Sequence, residues 1–361
     1  MKRVVVLCAA VSFVVVSAVS GIASDWSFYG SVRMSTFMYD ESKEVSGTGF
    51  DQRDLTWHLQ PNSRVGAKVK DGPIGGQIEF CPETNKMVRL FYGTWKLGDS
   101  TILVGQDYTP VYYPISSQAG KDDAALKGYG VFYAKRIRQL KLTMKGFQVA
   151  LVQPQATSVV PGAGDTETSL PKVEASYGFN LGPVALYLAG GYNSHEDVVT
   201  TGPTERKYKI DSTIYGLGFK FAPGPLYLNG TLYGGTNPGN FGLCDECDDV
   251  ITTTAAYNGT TDSVEDVDTI GYALVVGFKA GSMVTLEAGY GVVRDEYDVS
   301  GTTTKLQMRT YYFNATIKLA KGVCLVPEIG KIDYGDLKVT GQPDRDAGNI
   351  TYYGAKWQIS F

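Results

Sequence analysis

The chain is short of charge: Asp, Glu, Lys and Arg make up 19% of its 361 residues, against about 25% in ordinary soluble domains. It also lacks a basic excess, with 33 basic residues against 37 acidic ones and a formal net charge of -4. Nucleic acid is thereby excluded as a partner, because its binding rests on clustered Lys and Arg that neutralise phosphates. Histidine is nearly missing; only His58 and His195 occur. His195 stands with Glu196 and Asp197 in a stretch that reads as a solvated turn, and His58 is one polar residue on an alternating strand. No nucleophile and base motif accompanies either, so the chain is not expected to be an enzyme. Five cysteines are too few for a disulfide scaffold. Beyond residue 23 no stretch approaches the ~18 consecutive apolar residues of a transmembrane helix.

What is abundant is glycine, at 43 residues, and tyrosine, at 24. Met1 to Ala23 reads as a secretory signal peptide, with Lys2 and Arg3 ahead of the apolar run Val4 to Val19 and small residues at Gly21 and Ala23. Cys8 lies inside that apolar run with too little leader before it to mark a lipoprotein. Residues 24–361 form one domain, with no linker and no amphipathic helix interrupting a single repeating pattern.

That pattern is period-two alternation in segments of roughly ten residues, punctuated by Gly, Pro, Asn and Asp. Trp26, Phe28, Val32, Met34 and Met38 share one face, opposite Ser27, Ser31, Arg33 and Ser35. Connections alternate in length. Asp71-Gly72-Pro73, Gly98-Asp99 and Lys145-Gly146 are tight, whereas Tyr108 to Gly128, Ser194 to Lys209, Gly234 to Asp266 and Asp295 to Thr304 are long and polar. The count is about sixteen strands, an even number, which predicts an all-β, transmembrane, antiparallel up-and-down β-barrel. Closure of that many strands leaves a lumen too wide for side chains alone to fill, so it is expected to hold water. Inward positions then carry Arg33, Asp54, His58, Arg64, Lys68, Glu79, Glu174, Glu287 and Glu328 without a dry-core penalty. Arg89 shares parity with Phe91 and Trp95 and turns outward unless a bulge intervenes. Aromatics recur near strand ends, as girdles at a membrane boundary do, although Tyr and Phe suit strands anywhere.

With these marks the chain resembles the Gram-negative outer-membrane general porins over essentially all of Asp25 to Phe361. The terminal Phe361, with Ile359, Trp357 and Tyr353 behind it, is similar to the signal that family presents to the barrel-insertion machinery. A long connection follows the fifth strand, Thr101 to Tyr108, where the family's third loop folds into the lumen as a constriction. The resemblance implies a constriction loop bearing Asp107, Tyr112, Tyr113, Lys121, Asp122 and Asp123, faced by Arg33, Arg64 and Lys68 on the pore wall. These three would equally serve a wide vestibule or pair with neighbouring strands. It further implies a homotrimer in outer-membrane lipid and lipopolysaccharide, passing small hydrophilic solutes and ions by passive diffusion without a cofactor. The acidic connections add an expected weak cation preference. Two alternatives remain: a porin selective for a sugar or an anion, its sugar path being Tyr108, Tyr112 and Tyr113, and a structural or adhesive barrel with no open channel.

Cys244 and Cys247 form a CxxC in the longest connection, read as a local disulfide rather than a redox or metal site. Cys81 and Cys324 fall near opposite strand ends and should not pair. Asp245, Glu246, Asp248, Asp249, Glu265, Asp266 and Asp268 make that connection acidic. Their spacing matches no Ca²⁺ loop, so a solvated loop is the reading and no metal is assigned.

Overall fold

A computed structural model describes residues 25–82, 87–243 and 250–361. The expected signal peptide and the expected Cys244–Cys247 disulfide lie outside the described residues.

Alternation has produced one closed sheet. Its strands are β1 (Asp25–Glu41), β2 in two parts (Gln52–Leu59 and Arg64–Asp71), β3 (Ile74–Phe80), β4 (Val88–Leu97) and β5 (Ser100–Tyr108). There follow β6 (Arg136–Met144), β7 (Phe147–Val152), β8 (Lys172–Leu181), β9 (Val184–Thr201), β10 (Thr204–Phe221) and β11 (Leu226–Thr236). The last five are β12 (Asp268–Ala280), β13 (Val284–Val299), β14 (Thr302–Ala320), β15 (Val323–Asp333) and β16 (Asn349–Ser360). Each pairs antiparallel with the next, and β16 returns to β1 in a register that sets Met34 opposite Trp357. The seam is tightened by Phe361, whose backbone N–H donates to the Gly30 carbonyl at 3.0 Å while Gly30 N–H donates back at 2.8 Å. Closure leaves no free edge to template aggregation.

The outer surface is apolar. On β12, Ile270, Tyr272, Leu274, Val276 and Phe278 are exposed while the residues between them are buried. Tyr353, Trp357, Ile359 and Phe361 are likewise exposed, on the outer face at the end of β16. Tight turns use glycine where the chain must reverse with a positive φ, as at Gly72 and Gly98.

Two sequence expectations are corrected. The connections placed at 194–209 and 295–304 are strand: β9 and β10 run to Thr201 and from Thr204, and β13 and β14 meet across Ser300 and Gly301. His195 is therefore buried in β9, its Nε2 3.3 Å from the Thr157 carbonyl, not in a solvated turn. These hairpins carry polar residues on both faces, so the apolar signal fades while backbone pairing continues.

The interior is also not uniformly wet. Glu79, Glu174, Glu287 and Glu328 are no more than 5% exposed. Apolar clusters lie inside the sheet: Ile115, Leu126 and Val131 pack on Ala273, Val275 and Tyr312, and Val111 and Phe132 join a second group with Ile214, Tyr233 and Phe241. The physical reason is the β5–β6 connection, residues 109–135, whose apolar side chains cover this part of the wall.

Candidate functional site

Residues 109–135 are held by wall carboxylates that accept backbone N–H groups. Glu174 on β8 accepts from Val111 N–H at 3.0 Å. Glu287 on β13 accepts from Ser117 N–H and Oγ–H, each at 2.6 Å. Glu328 on β15 accepts from Ala119 N–H at 2.6 Å and Gly120 N–H at 2.8 Å. These groups would otherwise be orphan donors in a dry setting, so a charged acceptor is worth more here than in water. Gln118 extends the network by donating to Tyr352 Oη at 2.8 Å and accepting from Leu126 N–H at 2.9 Å.

The tip of the connection is strained. Lys121, Asp122 and Asp123 are consecutive non-glycine residues in the left-handed region, with φ of 49°, 58° and 60°, a conformation costing about 1–2 kcal/mol per residue. Asp123 ties this turn to the wall through Arg33 on β1 and Lys356 on β16, each at 2.6 Å, and through Asn62 Nδ2 at 2.6 Å. Burial would raise the Asp123 carboxyl, but Lys356 and Arg33 more than offset it and hold it below the usual carboxylate range. Asn62 is available because β2 is interrupted at 60–63, where Ser63 and Gln60 bond the backbone of Arg33 instead of continuing the ladder. His58 Nε2 lies 2.9 Å from Asp122 Oδ1.

Close approach of the connection to the sheet requires glycine at Gly291 on the inner side of β13, where a Cβ would run into the Tyr129 carbonyl. Gly291→Val should lift the connection at an overpacking cost of about 1–3 kcal/mol. Trypsin cleavage after Lys127 should then quicken roughly tenfold. Unchanged cleavage would show that the wall glycine is not what seats it.

Between the connection and the early strands lies a cavity of about 420 Å³. Arg33, Arg64, Arg89, Lys127, Arg136 and Lys356 line it, with Asp122, Asp123 and Tyr112. Glu79 stands behind, pairing with Arg89 at 2.7 Å and Arg64 at 3.7 Å. Six cations thus face three carboxylates.

Of the candidates read from sequence, Arg33, Arg64, Tyr112, Asp122 and Asp123 meet at this cavity. The others are placed elsewhere. Asp107 pairs with Lys141 at 2.7 Å; Lys68 and Lys121 sit over the rings of Tyr29 and Tyr39; Tyr113 is stacked on Tyr187 at 4.8 Å. Arg89 enters because the β3–β4 register shifts at Glu79/Phe80, the bulge on which its orientation depended. Sequence reasoning missed Lys356, Arg136 and, as a slot cation, Lys127. Cys81 and Cys324 are free. No group of His, Cys, Asp and Glu able to hold a metal occurs among the described residues.

No family model and no curated protein matches the sequence. Solved structures do. The outer membrane channel DcaP of Acinetobacter baumannii aligns with a TM-score of 0.65 at 15% identity, over 94% of this chain and 97% of that one. OmpT in its trimer form, an outer membrane protein of Vibrio cholerae, gives 0.60 at 16% identity over 94% and 100%. The anion-selective porin from Comamonas acidovorans gives 0.55 at 12% identity over 94% and 100%. The likeness is one of fold: a closed sixteen-stranded porin barrel.

Proposed function

We propose that this chain is an outer-membrane diffusion channel in which residues 109–135 fold into the lumen and leave a water-filled slot against the early strands. The observation that carries this reading is the set of backbone N–H bonds from the connection to Glu174, Glu287 and Glu328. A connection tied to carboxylates on β8, β13 and β15 spans the barrel's interior, and solutes are left the slot beside it. The apolar outer band fits lipid, with lipopolysaccharide outside it. Tyr353, Trp357, Ile359 and Phe361 would serve as the assembly signal, and the trimer form of the similar OmpT supports a homotrimer.

The narrowest part of a pore, more than its loops, sets ion preference. The acidic connections argue for cations, but the slot carries an excess of positive charge. We therefore assign a preference for anions, as in the similar anion-selective porin from Comamonas acidovorans. Catalysis is not part of this reading: His58 bonds Asp122 and His195 bonds a backbone carbonyl. Neither has a serine, threonine or cysteine side chain as partner among the described residues.

Planar-bilayer recording of the purified chain in asymmetric KCl tests this. Stable conductance steps with a reversal potential on the anion side are expected; a plugged or adhesive barrel gives no steps. Burial pushes the Lys127 ammonium down to about 8, so its charge is lost as pH rises through that value. Asp123, held below the usual carboxylate range, stays ionised over that span. The reversal potential should accordingly move toward zero between about pH 7 and about pH 9. A shift the other way would remove Lys127 from the slot's field.

A further inference from the structure

We infer that the slot is a binding site for small dianions, held between Lys127 and Arg136 on one side and Arg64 and Arg89 on the other. The inference rests on the channel reading and names the solute class for the same slot.

Counter-ions decide it. Asp123 already takes two cations, Arg33 and Lys356, and Glu79 takes two more, Arg64 and Arg89. Lys127 and Arg136 have no carboxylate within ion-pair distance among the described residues. Each instead lies against a ring, Lys127 Nζ at 5.2 Å from the Tyr133 centroid and the Arg136 guanidinium carbon at 5.5 Å from that of Tyr108. A ring face attracts a cation weakly and leaves its charge unneutralised. Arg64 is only loosely paired, its Nη1 lying 3.7 Å from Glu79 Oε1. Desolvation works in the same direction at Lys127: the ammonium that burial disfavours most gains most from an arriving anion.

One carboxylate satisfies one of these cations. Two uncompensated cations call for a second negative charge on the same small molecule, either a dicarboxylate or a phosphate. The cavity, at about 420 Å³, admits such a molecule with water around it. Its ring wall is fixed in place, Tyr108 and Tyr112 being stacked at 4.5 Å and Tyr133 set edge-on to Tyr112 at 5.3 Å. The same packing argues against the sugar path. Tyr108 is covered by Tyr112 and Arg136, and Tyr113 by Tyr187 and Lys220, so these faces are taken.

The test is titration of open single channels of the full chain with succinate or inorganic phosphate at constant ionic strength, with acetate as the monoanion. A dianion should reduce the current saturably, and acetate should need a concentration higher by about tenfold or more. The double variant Lys127→Gln/Arg136→Gln should raise the half-blocking concentration by about tenfold or more. Lys145→Gln, which alters an exposed pair with Asp99 beside a tight turn, should leave it unchanged. Block by succinate, phosphate or both upholds the site and identifies its source. Current that never saturates, or equal half-blocking concentrations in wild type and double variant, overturns it while the conductance steps keep the channel reading intact. If steps are absent, the channel reading falls, and calorimetric titration of the detergent-solubilised chain with the same two anions decides the site: saturable heat lost in the double variant supports it, and none in the wild type overturns it.

Discussion

Asp123→Ala should give a channel of higher and noisier single-channel conductance in a barrel that melts nearly as the wild type does. Asp123 is the one carboxylate on the turn at 120–123 that both Arg33 and Lys356 grip, and its side chain is 11% exposed. Removing one member of a buried ion-pair cluster costs about 3–5 kcal/mol, because the remaining charges are left uncompensated. The three left-handed residues at its tip hold strain of several kcal/mol, and that strain favours release once the anchor is gone. A shift of about 3 kcal/mol changes the ratio of seated to released tip more than a hundredfold. The sheet itself closes through β1 and β16 and does not depend on this contact, so the barrel should survive. Bilayer recordings together with the heat-induced mobility change in SDS gels separate the two effects. Unaltered conductance in a barrel that melts far earlier would mean that Asp123 stabilises the wall and does not seat the connection.

The double variant Asp123→Ala/Lys356→Met sharpens the point. It removes one stranded cation along with the anion, so the local penalty should fall, yet the tether is still absent. Conductance should therefore stay high while the noise declines.

Much of this was legible in the chain and some was not, for identifiable reasons. Period-two alternation fixes which face of each strand looks inward, so Glu174, Glu287 and Glu328 were placed on the inner side from sequence. Alternation says nothing about what lies against that face, and these glutamates proved to be buried acceptors for residues 109–135. A usable signal existed on β12, where Ala273 and Val275 are apolar on the face opposite Leu274 and Val276. A strand apolar on both faces, inside a barrel whose other strands are half polar, has something dry on each side. Arg89 depended on a one-residue bulge at Glu79/Phe80, which parity cannot foresee. Lys356 was on an inward position by parity with Gly354 and Gln358, but only the fold brings β16 beside residue 123. The hairpins at 194–209 and 295–304 read as loops in the sequence because neither of their faces is apolar enough to show the alternation.

Lys127→Glu combined with Arg136→Glu should reverse the sign of the ion preference. In the wild type six cations at the slot face three carboxylates; the double variant leaves Arg33, Arg64, Arg89 and Lys356 against Glu79, Asp122, Asp123 and the two new side chains. At separations of about 8 Å and an effective dielectric near 20, each charge acts on a permeating ion with about 2 kcal/mol. Replacing a cation by an anion doubles that difference at each position, far more than the weak bias of connections exposed to solvent. The reversal potential in asymmetric KCl should therefore cross zero to the cation side at about 0.1 M salt. It should shrink at about 1 M, where charges more than ~3 Å from the ion are screened. The neutral pair Lys127→Met/Arg136→Met should fall between. If the charge-reversed channel keeps the wild-type sign at low salt, the preference is set away from the slot, and the acidic connection at 234–266 becomes the place to look.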